Sequence, residues 1–330
     1  MRIQRLNLLI QYFFVLVVLS FFVATSRAQE PPKTPPTHWG AVSINLEGIE
    51  YPHPVNFLNR NIYGQDVRIA YMDVSATANA NGRTVVLLHG NSYYGLYWKD
   101  TITALTQAGF RVITVDRLGW GKSSKPLIPY SASLHAANTK AILDNLGIEK
   151  VVIGGHSMGG RLASTFAYTY PDTVTQLFMV NPIALTDRDS GRPWRDATAG
   201  DTDPDLQEIY ESNLRTETRR IANWKPKHLE HVRIRYGYAL SGEYPRWRTV
   251  RSLNSDLLSE PIDSFWPKIQ TRALMLCGAQ DGPNFPETAR RATSLLPHGK
   301  LYLIAEAGHN PHEETPEVFN RELLKFLVAD

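Results

Sequence analysis

A glycine-rich turn after a short apolar run constrains the fold of this 330-residue chain more than any other feature. The run is Val151-Val152-Ile153-Gly154, and the turn is Gly155-His156-Ser157-Met158-Gly159-Gly160. The residues that follow are compatible with a helix. A Gly-x-Ser-x-Gly pattern between a buried strand and a helix is typical of a sharp turn that exposes its serine, with glycines where side chains would clash. The sequence therefore predicts that Ser157 is a nucleophile.

Strand-like and helix-like segments alternate on both sides of this turn. Apolar runs typical of strands buried on both faces occur at residues 85–88, 112–115, 151–154, 177–180, 274–277 and 301–304. Helices are predicted between and after them, at 98–108, 133–146 and 316–327. An antiparallel hairpin is expected at 55–72, before the first run. The alternation predicts an α/β fold with a mostly parallel central sheet flanked by helices.

The first 28 residues are predicted to be a signal peptide. Arg2 and Arg5 precede an apolar stretch from Leu6 to Ala24, and Ser26-Arg27-Ala28 offers the small residues that signal peptidases prefer. The apolar stretch is longer than a typical signal core, so an uncleaved membrane anchor is the alternative. We therefore expect an exported protein, periplasmic or secreted, with no membrane contact apart from this segment.

The positive net charge of the whole chain comes from the predicted signal peptide. That segment contains three of the 35 basic side chains and no acidic one, so the remaining residues carry 32 basic and 32 acidic side chains. This balance gives no reason to expect a nucleic acid or an anionic membrane surface as a partner. The single cysteine, Cys277, excludes an internal disulfide, and we interpret it as an apolar core residue.

The predicted core is interrupted once. Residues 182–267 contain no clear buried strand and are predicted to form a helical cap, which divides the core into residues 55–181 and 268–330. An extended segment, residues 29–54, precedes the core, and its proline-rich start at 29–36 predicts a tether.

Charged and aromatic side chains are abundant in the predicted cap. We interpret its aromatic residues as a small core of its own, and its interleaved arginines and carboxylates as a solvated face. Helices are predicted at 206–221 and 228–240. His228 and His231 lie three residues apart on the second of these helices, but no third metal ligand is evident.

Three residues with the chemistry of a nucleophile, a base and an acid follow predicted strands. Ser157 follows one strand, Asp281 follows a later one, and His309 follows the last. Catalytic groups of an open parallel sheet gather at the carboxyl ends of its strands. We predict His309 as the base that takes the serine proton and Asp281 as the group that holds the imidazole. His312 is the alternative base, and Asp187 the alternative acid.

The segment His89-Gly90-Asn91 follows the strand predicted at 85–88. This is the place where hydrolases with a Gly-x-Ser-x-Gly turn build half of their oxyanion hole. The backbone N–H groups of Asn91 and Met158 are therefore predicted to bind the developing oxyanion. His89 is predicted to pack and to hydrogen-bond beneath the site.

From about Val55 to its C-terminus, the chain resembles α/β-hydrolases with a helical cap. The motifs that carry this resemblance are His89-Gly90-Asn91, Asp116 to Ser123, Gly155 to Gly160, Asp281 and Gly308-His309. The resemblance implies a Ser-Asp-His triad and chemistry that needs neither a metal nor an organic cofactor.

At three positions the chain differs from particular members of this family, which narrows the activities that the resemblance implies. Asn91 is similar to the asparagine of members that cleave carbon–halogen bonds, but those members use an aspartate at the position of Ser157. Peptidases of the proline-iminopeptidase type carry tryptophan where this chain has Met158. The strand before Asp281 opens with Arg272-Ala273, where relatives commonly have a proline.

The sequence thus predicts a serine hydrolase that cleaves a small or medium carboxylic ester or lactone through an acyl-enzyme on Ser157. Export argues against coenzyme A thioesters as substrates. Two alternatives stay open. The same residues would serve carbon–carbon cleavage of a dienoic diketone, amide hydrolysis or perhydrolysis, or the chain would be a non-catalytic ligand-binding protein of the same fold.

Overall fold

The strands of this chain assemble into one eight-stranded sheet. The computed structural model describes residues 30–185, 205–254 and 261–329. The strands are β1 (Val55–Ile62), β2 (Gln65–Val74), β3 (Thr84–Leu88), β4 (Arg111–Val115), β5 (Val151–His156), β6 (Val174–Val180), β7 (Ala273–Gly278) and β8 (Gly299–Ile304). Their order across the sheet is β1-β2-β4-β3-β5-β6-β7-β8. The pairs β1–β2 and β2–β4 are antiparallel, and all other pairs are parallel.

Helices connect the strands and follow the last one. Within the described ranges they are α1 (Lys99–Gln107), α2 (Ala132–Asn145), α3 (Met158–Thr169), α4 (Leu206–Arg220), α5 (Leu229–Ala239), α6 (Tyr244–Leu253), α7 (Phe285–Ser294), α8 (Pro311–Glu314) and α9 (Pro316–Val328). None of these helices is long and apolar enough to cross a membrane. The predicted signal peptide lies outside the described residues.

The central strands are buried on both faces. All five residues of β3 are buried, and successive side chains enter opposite apolar layers. Val86 and Leu88 belong to the layer covered by α2, α3 and α7, whereas Val85 and Leu87 belong to the layer covered by α1 and α9. A continuous apolar run is what such a strand requires. The predicted α/β fold is therefore confirmed.

Helices α4, α5 and α6 lie between β6 and β7 in the chain and bury their own apolar residues. Ile209 and Tyr210 of α4 pack with Val232 and Tyr236 of α5. Ile234 and Tyr238 pack with Trp247 of α6 in a neighbouring cluster. The aromatic side chains of these helices are thus core residues, as the sequence predicted. Trp194 lies outside the described residues.

The N-terminal segment is docked on the rest of the chain, and a tether was predicted only for its start, residues 29–36. It contains neither helix nor strand from residue 30 to residue 54, but it is packed against the three helices that precede β7. The Tyr210 hydroxyl donates to the carbonyl of Pro32 at 2.6 Å, and Trp39 contacts the Tyr210 ring edge-on. Val42, Ile44 and Leu46 are buried. The apolar residues that follow the prolines provide the reason, because they bury surface by docking.

Candidate active site

Ser157 occupies the turn between β5 and α3, and its backbone is strained. Its φ of 56° and ψ of −118° lie where residues with a side chain are rarely found. The Ser157 N–H donates to the carbonyl of Val180, which ends β6, at 2.8 Å. A side chain at Gly155 would clash with the backbone of Gly159, and one at Gly159 would clash with the Leu88 carbonyl. The motif glycines therefore allow α3 to start directly against the sheet.

Asp281 and His309 meet at the same edge of the sheet. Asp281 lies in the loop after β7, and His309 lies in the loop after β8. His309 Nδ1 is 2.6 Å from Asp281 Oδ2. Because an ionised carboxylate only accepts hydrogen bonds, the proton lies on Nδ1 when the imidazole is neutral. The other ring nitrogen, Nε2, then carries a lone pair.

The Nε2 atom of His309 is free for chemistry. It is buried, and it has no hydrogen-bond partner among the residues that the structure describes. His309, Asp281 and Ser157 line the same cleft. The arrangement can therefore transfer a proton from a hydroxyl to Nε2 while the carboxylate holds the ring.

Asn181 is a site residue that the sequence did not single out. It directly follows β6, has a φ of 38° and is fully buried. Its Nδ2 donates to Asp281 Oδ2 at 3.0 Å and to the Gly278 carbonyl at 3.2 Å, and its Oδ1 accepts the Gly278 N–H at 2.8 Å. The sequence feature that could have identified Asn181 is its position directly after a strand, at the edge of the sheet that carries Ser157 and Asp281.

The structure places the two predicted oxyanion donors, Asn91 and Met158, at the edge of the sheet that carries Ser157. Met158 is the first residue of α3, and Asn91 follows β3 by three residues. Both line the cleft with Ser157. Neither N–H donates to another group within the described residues. The start of α3 adds the partial positive charge of a helix N-terminus.

The loop that carries His309 is fixed from two sides. The His309 N–H donates to the carbonyl of Arg220, the last residue of α4, at 2.6 Å. The Glu314 carboxylate accepts the N–H groups of Gly308, Asn310, Ala222 and Asn223 at 2.8–3.3 Å. One buried carboxylate thus joins the chain after α4 to the His309 loop.

The cleft has a volume of about 720 Å³ and two kinds of lining. Its apolar residues are Met158, Pro182, Ile183, Ala184, Leu185, Pro283 and Phe285. Its charged residues are Asp281, Arg219 and Arg220. Neither arginine pairs with a carboxylate in the part of the chain that is described. Arg219 is nonetheless exposed and Arg220 half-buried, so lining the cleft does not contradict the solvated face that the sequence predicted, and on the same helix Arg215 pairs with Glu211.

The alternative candidates are placed elsewhere. His312 is buried against Trp98, and burial lowers its pKa to about 3. His231 pairs with Glu313, and His228 Nδ1 accepts the Lys225 N–H. No group of three potential metal ligands occurs among the described residues. Asp187 lies outside them.

Cys277 is buried in β7, where burial raises the pKa of its thiol. His89 is also buried. It accepts the Arg117 N–H at Nε2, at 3.0 Å, and its Nδ1 lies 2.7 Å from the Gly90 carbonyl. Both residues therefore occupy the packing roles that the sequence predicted.

An open, mostly parallel sheet with a serine on a strained strand-to-helix turn defines the α/β-hydrolase class. The model of the alpha/beta hydrolase fold family matches residues 83–316. The chain belongs to this family.

Similar proteins include named hydrolases. A 2-hydroxy-6-oxononadienedioate/2-hydroxy-6-oxononatrienedioate hydrolase of Paraburkholderia phymatum is 29% identical over 80% of this chain and 92% of its own length. A crystal structure described as a probable hydrolytic enzyme from Pseudomonas aeruginosa PAO1 is 32% identical, with a TM-score of 0.81 over 88% of this chain and 99% of that one. An enol-lactonase from Burkholderia xenovorans LB400 shares the fold, with 19% identity and a TM-score of 0.66 over 82% of this chain and all of its own.

Proposed function

We propose that this chain is a serine hydrolase that cleaves a small or medium carboxylic ester or lactone through an acyl-enzyme on Ser157. One observation carries the proposal. The Asp281 carboxylate holds the Nδ1 side of His309, and Nε2 is left buried in the cleft that Ser157 lines, with no hydrogen-bond partner among the described residues. A hydroxyl needs such a base beside it to become a nucleophile near neutral pH.

In the proposed reaction, Ser157 Oγ forms a bond to the substrate carbonyl carbon while its proton passes to His309 Nε2. The tetrahedral intermediate then breaks its bond to the leaving oxygen, which takes the proton from His309. Water then attacks the remaining acyl group and loses a proton to the same nitrogen. The second tetrahedral intermediate breaks its bond to Ser157 Oγ, which takes that proton from His309 as the acid is released. Asp281 stabilises the imidazolium that forms in both halves.

The Asn91 and Met158 N–H groups are proposed to bind the carbonyl oxygen as it becomes negative. Removing one such donor from comparable sites costs about 10²–10³ in rate. Because these donors belong to the backbone, side-chain substitution cannot remove them. The apolar lining of the cleft suits the hydrocarbon part of an ester or lactone.

Hydrolysis of p-nitrophenyl acetate, butyrate and octanoate by the full chain tests this function. We expect turnover in the wild type and a loss of about 10⁴-fold or more in Ser157→Ala. Ser264→Ala is the matched control, because its exposed hydroxyl donates to the nearby Pro261 carbonyl, away from the cleft. Retention of most activity by Ser157→Ala would remove this residue from the mechanism.

Labelling with a fluorophosphonate separates the remaining alternatives. Labelling of Ser157 without ester turnover would indicate a competent nucleophile that acts on another bond. If there is neither labelling nor turnover, the result would favour the hypothesis of a non-catalytic ligand-binding protein.

We further propose that the protein is exported, either free or anchored by an uncleaved signal. The support comes from the sequence of residues 1–28. Intact mass measurement of the protein recovered outside the cytoplasm tests this. A chain that starts at Gln29 would support cleavage after Ala28, full length in the membrane fraction would support the anchor, and recovery only from the cytoplasm would contradict export.

A second candidate function is hydrolysis of a carbon–carbon bond in a diketone that carries a carboxylate. Arg219 and Arg220 favour it, because they bring positive charge to the cleft and neither pairs with a carboxylate of the part of the chain that the structure describes. The relative from Paraburkholderia phymatum is named for a dioate substrate, which carries two carboxylates. A guanidinium is well suited to a carboxylate ligand.

Paired substrates test this candidate. We expect mono-p-nitrophenyl glutarate to be preferred over neutral p-nitrophenyl pentanoate, and Arg219→Gln or Arg220→Gln to lower that preference about 10-fold or more. Arg215→Gln on the same helix is the control, since Arg215 does not line the cleft. Equal turnover of both esters by the wild type would count against the candidate.

A further inference from the structure

Behind the candidate site, a chain of hydrogen bonds joins the Asn91 segment to the His309 loop. The Gly90 N–H donates to the Tyr97 hydroxyl at 2.7 Å. That hydroxyl lies 3.1 Å from His156 Nδ1, and His156 Nε2 lies 2.8 Å from the carbonyl oxygen of His309. None of these contacts involves Ser157 Oγ or a side chain of the proposed triad.

The groups at the two ends of this chain of hydrogen bonds, the relay, determine where each of its protons lies. A carbonyl oxygen only accepts, so His156 must donate to His309 from Nε2. The neutral imidazole then accepts at Nδ1, so the Tyr97 hydroxyl must donate there. The same hydroxyl oxygen accepts from the Gly90 N–H. The relay therefore has one arrangement of protons, and it runs from Gly90 through Tyr97 and His156 to His309.

Burial keeps the relay neutral. His156 is fully buried and Tyr97 nearly so. Burial, with His309 and His312 nearby, holds the pKa of His156 well below its usual value, and burial also raises the pKa of Tyr97. The charge of Arg220 also acts on His156, and it too disfavours the imidazolium. If one of these hydrogen bonds is lost, a buried polar atom is left unpaired, because water does not take the place of its lost partner.

The position of Gly90 connects the relay to the proposed oxyanion donor. The Gly90 carbonyl and the Asn91 N–H belong to one planar peptide unit and point in opposite directions. Because Nε2 of His89 accepts a hydrogen bond, its Nδ1–H must donate to the Gly90 carbonyl, which fixes this plane. Tyr97 fixes the preceding peptide. A Cβ at Gly90 would lie 2.8 Å from His156 Nδ1, so the approach requires glycine.

We propose that Tyr97 and His156 are positioning residues, which hold the Asn91 N–H and His309 at a fixed separation so that both act on one bound carbonyl. This inference rests on the proposed acyl transfer at Ser157. Neither side chain touches the substrate, and each acts through a backbone group of another residue. The relay predicts effects on the rate of reaction rather than on substrate binding.

Kinetics of Tyr97→Phe provide the first test. The substitution keeps the ring and removes the hydroxyl, so we expect kcat to fall about 10- to 100-fold with KM little changed. Tyr130→Phe is the matched control, because Tyr130 is also buried and its hydroxyl donates to the Pro126 carbonyl, outside the relay. A similar loss of Tm in both variants, with a fall in kcat only for Tyr97→Phe, would support a positioning role. Equal kcat values in the two variants would overturn it.

Variants of His156 test the direction of the relay. Glutamine offers an N–H where the imidazole has Nε2, so His156→Gln should keep the bond to His309 and more activity than His156→Phe. Because one Tyr97 hydroxyl bonds both the Gly90 N–H and His156 Nδ1, the two side chains are coupled, so adding Tyr97→Phe to His156→Phe should lower kcat by less than it does in the wild type. Full additivity, or no advantage of glutamine over phenylalanine, would contradict the relay.

NMR of the full chain with isotope-labelled histidine tests the proton positions without any turnover. We expect neutral His156 with its proton on Nε2 in the wild type. A proton on Nδ1, or a doubly protonated ring near neutral pH, would overturn the relay even if the esters are cleaved. If no ester is cleaved, the proposed function fails separately. The fluorophosphonate labelling rate of Ser157 then replaces kcat, and a slower rate in Tyr97→Phe than in Tyr130→Phe is the supporting result.

Discussion

At Asp281, a single carboxylate oxygen receives hydrogen bonds from two parts of the sheet edge. Oδ2 accepts from His309 Nδ1 and from Asn181 Nδ2. Asn181 is itself tied to the backbone of Gly278, which ends β7. The carboxylate therefore has little freedom to rotate, and the His309 ring that it holds has one orientation and one tautomer.

Replacing Asp281 with asparagine is expected to lower kcat by about 10³–10⁴-fold. The amide can present an N–H to His309 Nδ1, which favours the tautomer with its proton on Nε2 and removes the base. Asp263→Asn is the control, because Asp263 is exposed and pairs with Arg291. Steady-state kinetics on p-nitrophenyl butyrate measure the effect. Similar activities for both variants would mean that another group orients His309.

The sequence allows candidate site residues to be named where a chemical signature coincides with the end of a strand. Ser157, Asp281 and His309 lie at strand ends that the apolar runs had located. Asn181 and Tyr97 have no such signature, since an amide after a strand and an aromatic residue before a helix occur throughout α/β proteins. Their roles depend on which atoms meet across the fold, which a single sequence does not display.

At the scale of elements, the loop between β8 and α8 is held in place by a side chain of α8, the helix that follows it. Glu314 ends α8 and gathers four N–H groups from the His309 loop and from the residues after α4. Only a carboxylate can accept so many donors without presenting a donor of its own.

Substitution of Glu314 by glutamine is expected to destabilise the fold by about 2–3 kcal/mol and to lower kcat, because the amide N–H₂ faces backbone donors. Thermal unfolding and ester kinetics measure the two effects. Glu317→Gln, at an exposed position in the first turn of α9, is the control and should change little. If Glu314→Gln were as stable and active as this control, the carboxylate would not be holding the loop.

Elements with several large apolar residues were predicted well, whereas two helices with few large buried side chains were missed. The central strands and α1, α2 and α9 lie within a few residues of their predicted bounds. Helices α6 and α7 were not predicted, and they have few large buried side chains. The buried residues of α7 are Ala289, Ala292 and Thr293, and those of α6 are Trp247 and Val250. Small or sparse buried residues give few large apolar positions by which a single sequence reveals a helix, even where charged residues make that helix amphipathic.

At the scale of the whole molecule, a buried ion pair joins helix α5, which precedes β7, to helix α8, which follows β8. His231 of α5 lies 2.9 Å from Glu313 of α8. Burial disfavours the His231 imidazolium, but the Glu313 carboxylate outweighs this and raises the pKa of His231. Burial likewise opposes the charge on Glu313, and His231 lowers the pKa of this carboxyl to about 2.

This pair should make stability depend on pH in both directions. The contribution of His231 is complete below its ordinary pKa of 6.5 and is lost as the pH rises through its raised value. The contribution of Glu313 is complete above its ordinary pKa of 4.5 and is lost as the pH falls towards about 2. We expect the difference in Tm between the wild type and Glu313→Gln to be largest from about pH 4.5 to 6.5.

Thermal unfolding across this pH range, with Glu230→Gln as control, measures the effect. Glu230 lies on the same helix as His231 and pairs with Arg233 at a more exposed place. Its loss should have a smaller effect that changes less with pH above 4.5. A flat difference for Glu313→Gln would show that His231 and Glu313 do not titrate as a pair.

The docked N-terminal segment has a consequence for the order in which the molecule assembles. Val42, Ile44 and Leu46 are packed with Ile234 and other residues of α5 and α6, and the Val42 N–H donates to the Gly237 carbonyl at 2.9 Å. These partners are synthesised long after the segment has left the ribosome, and a contact between such distant positions forms slowly. The first of the described residues to be made are therefore among the last to reach their native neighbours.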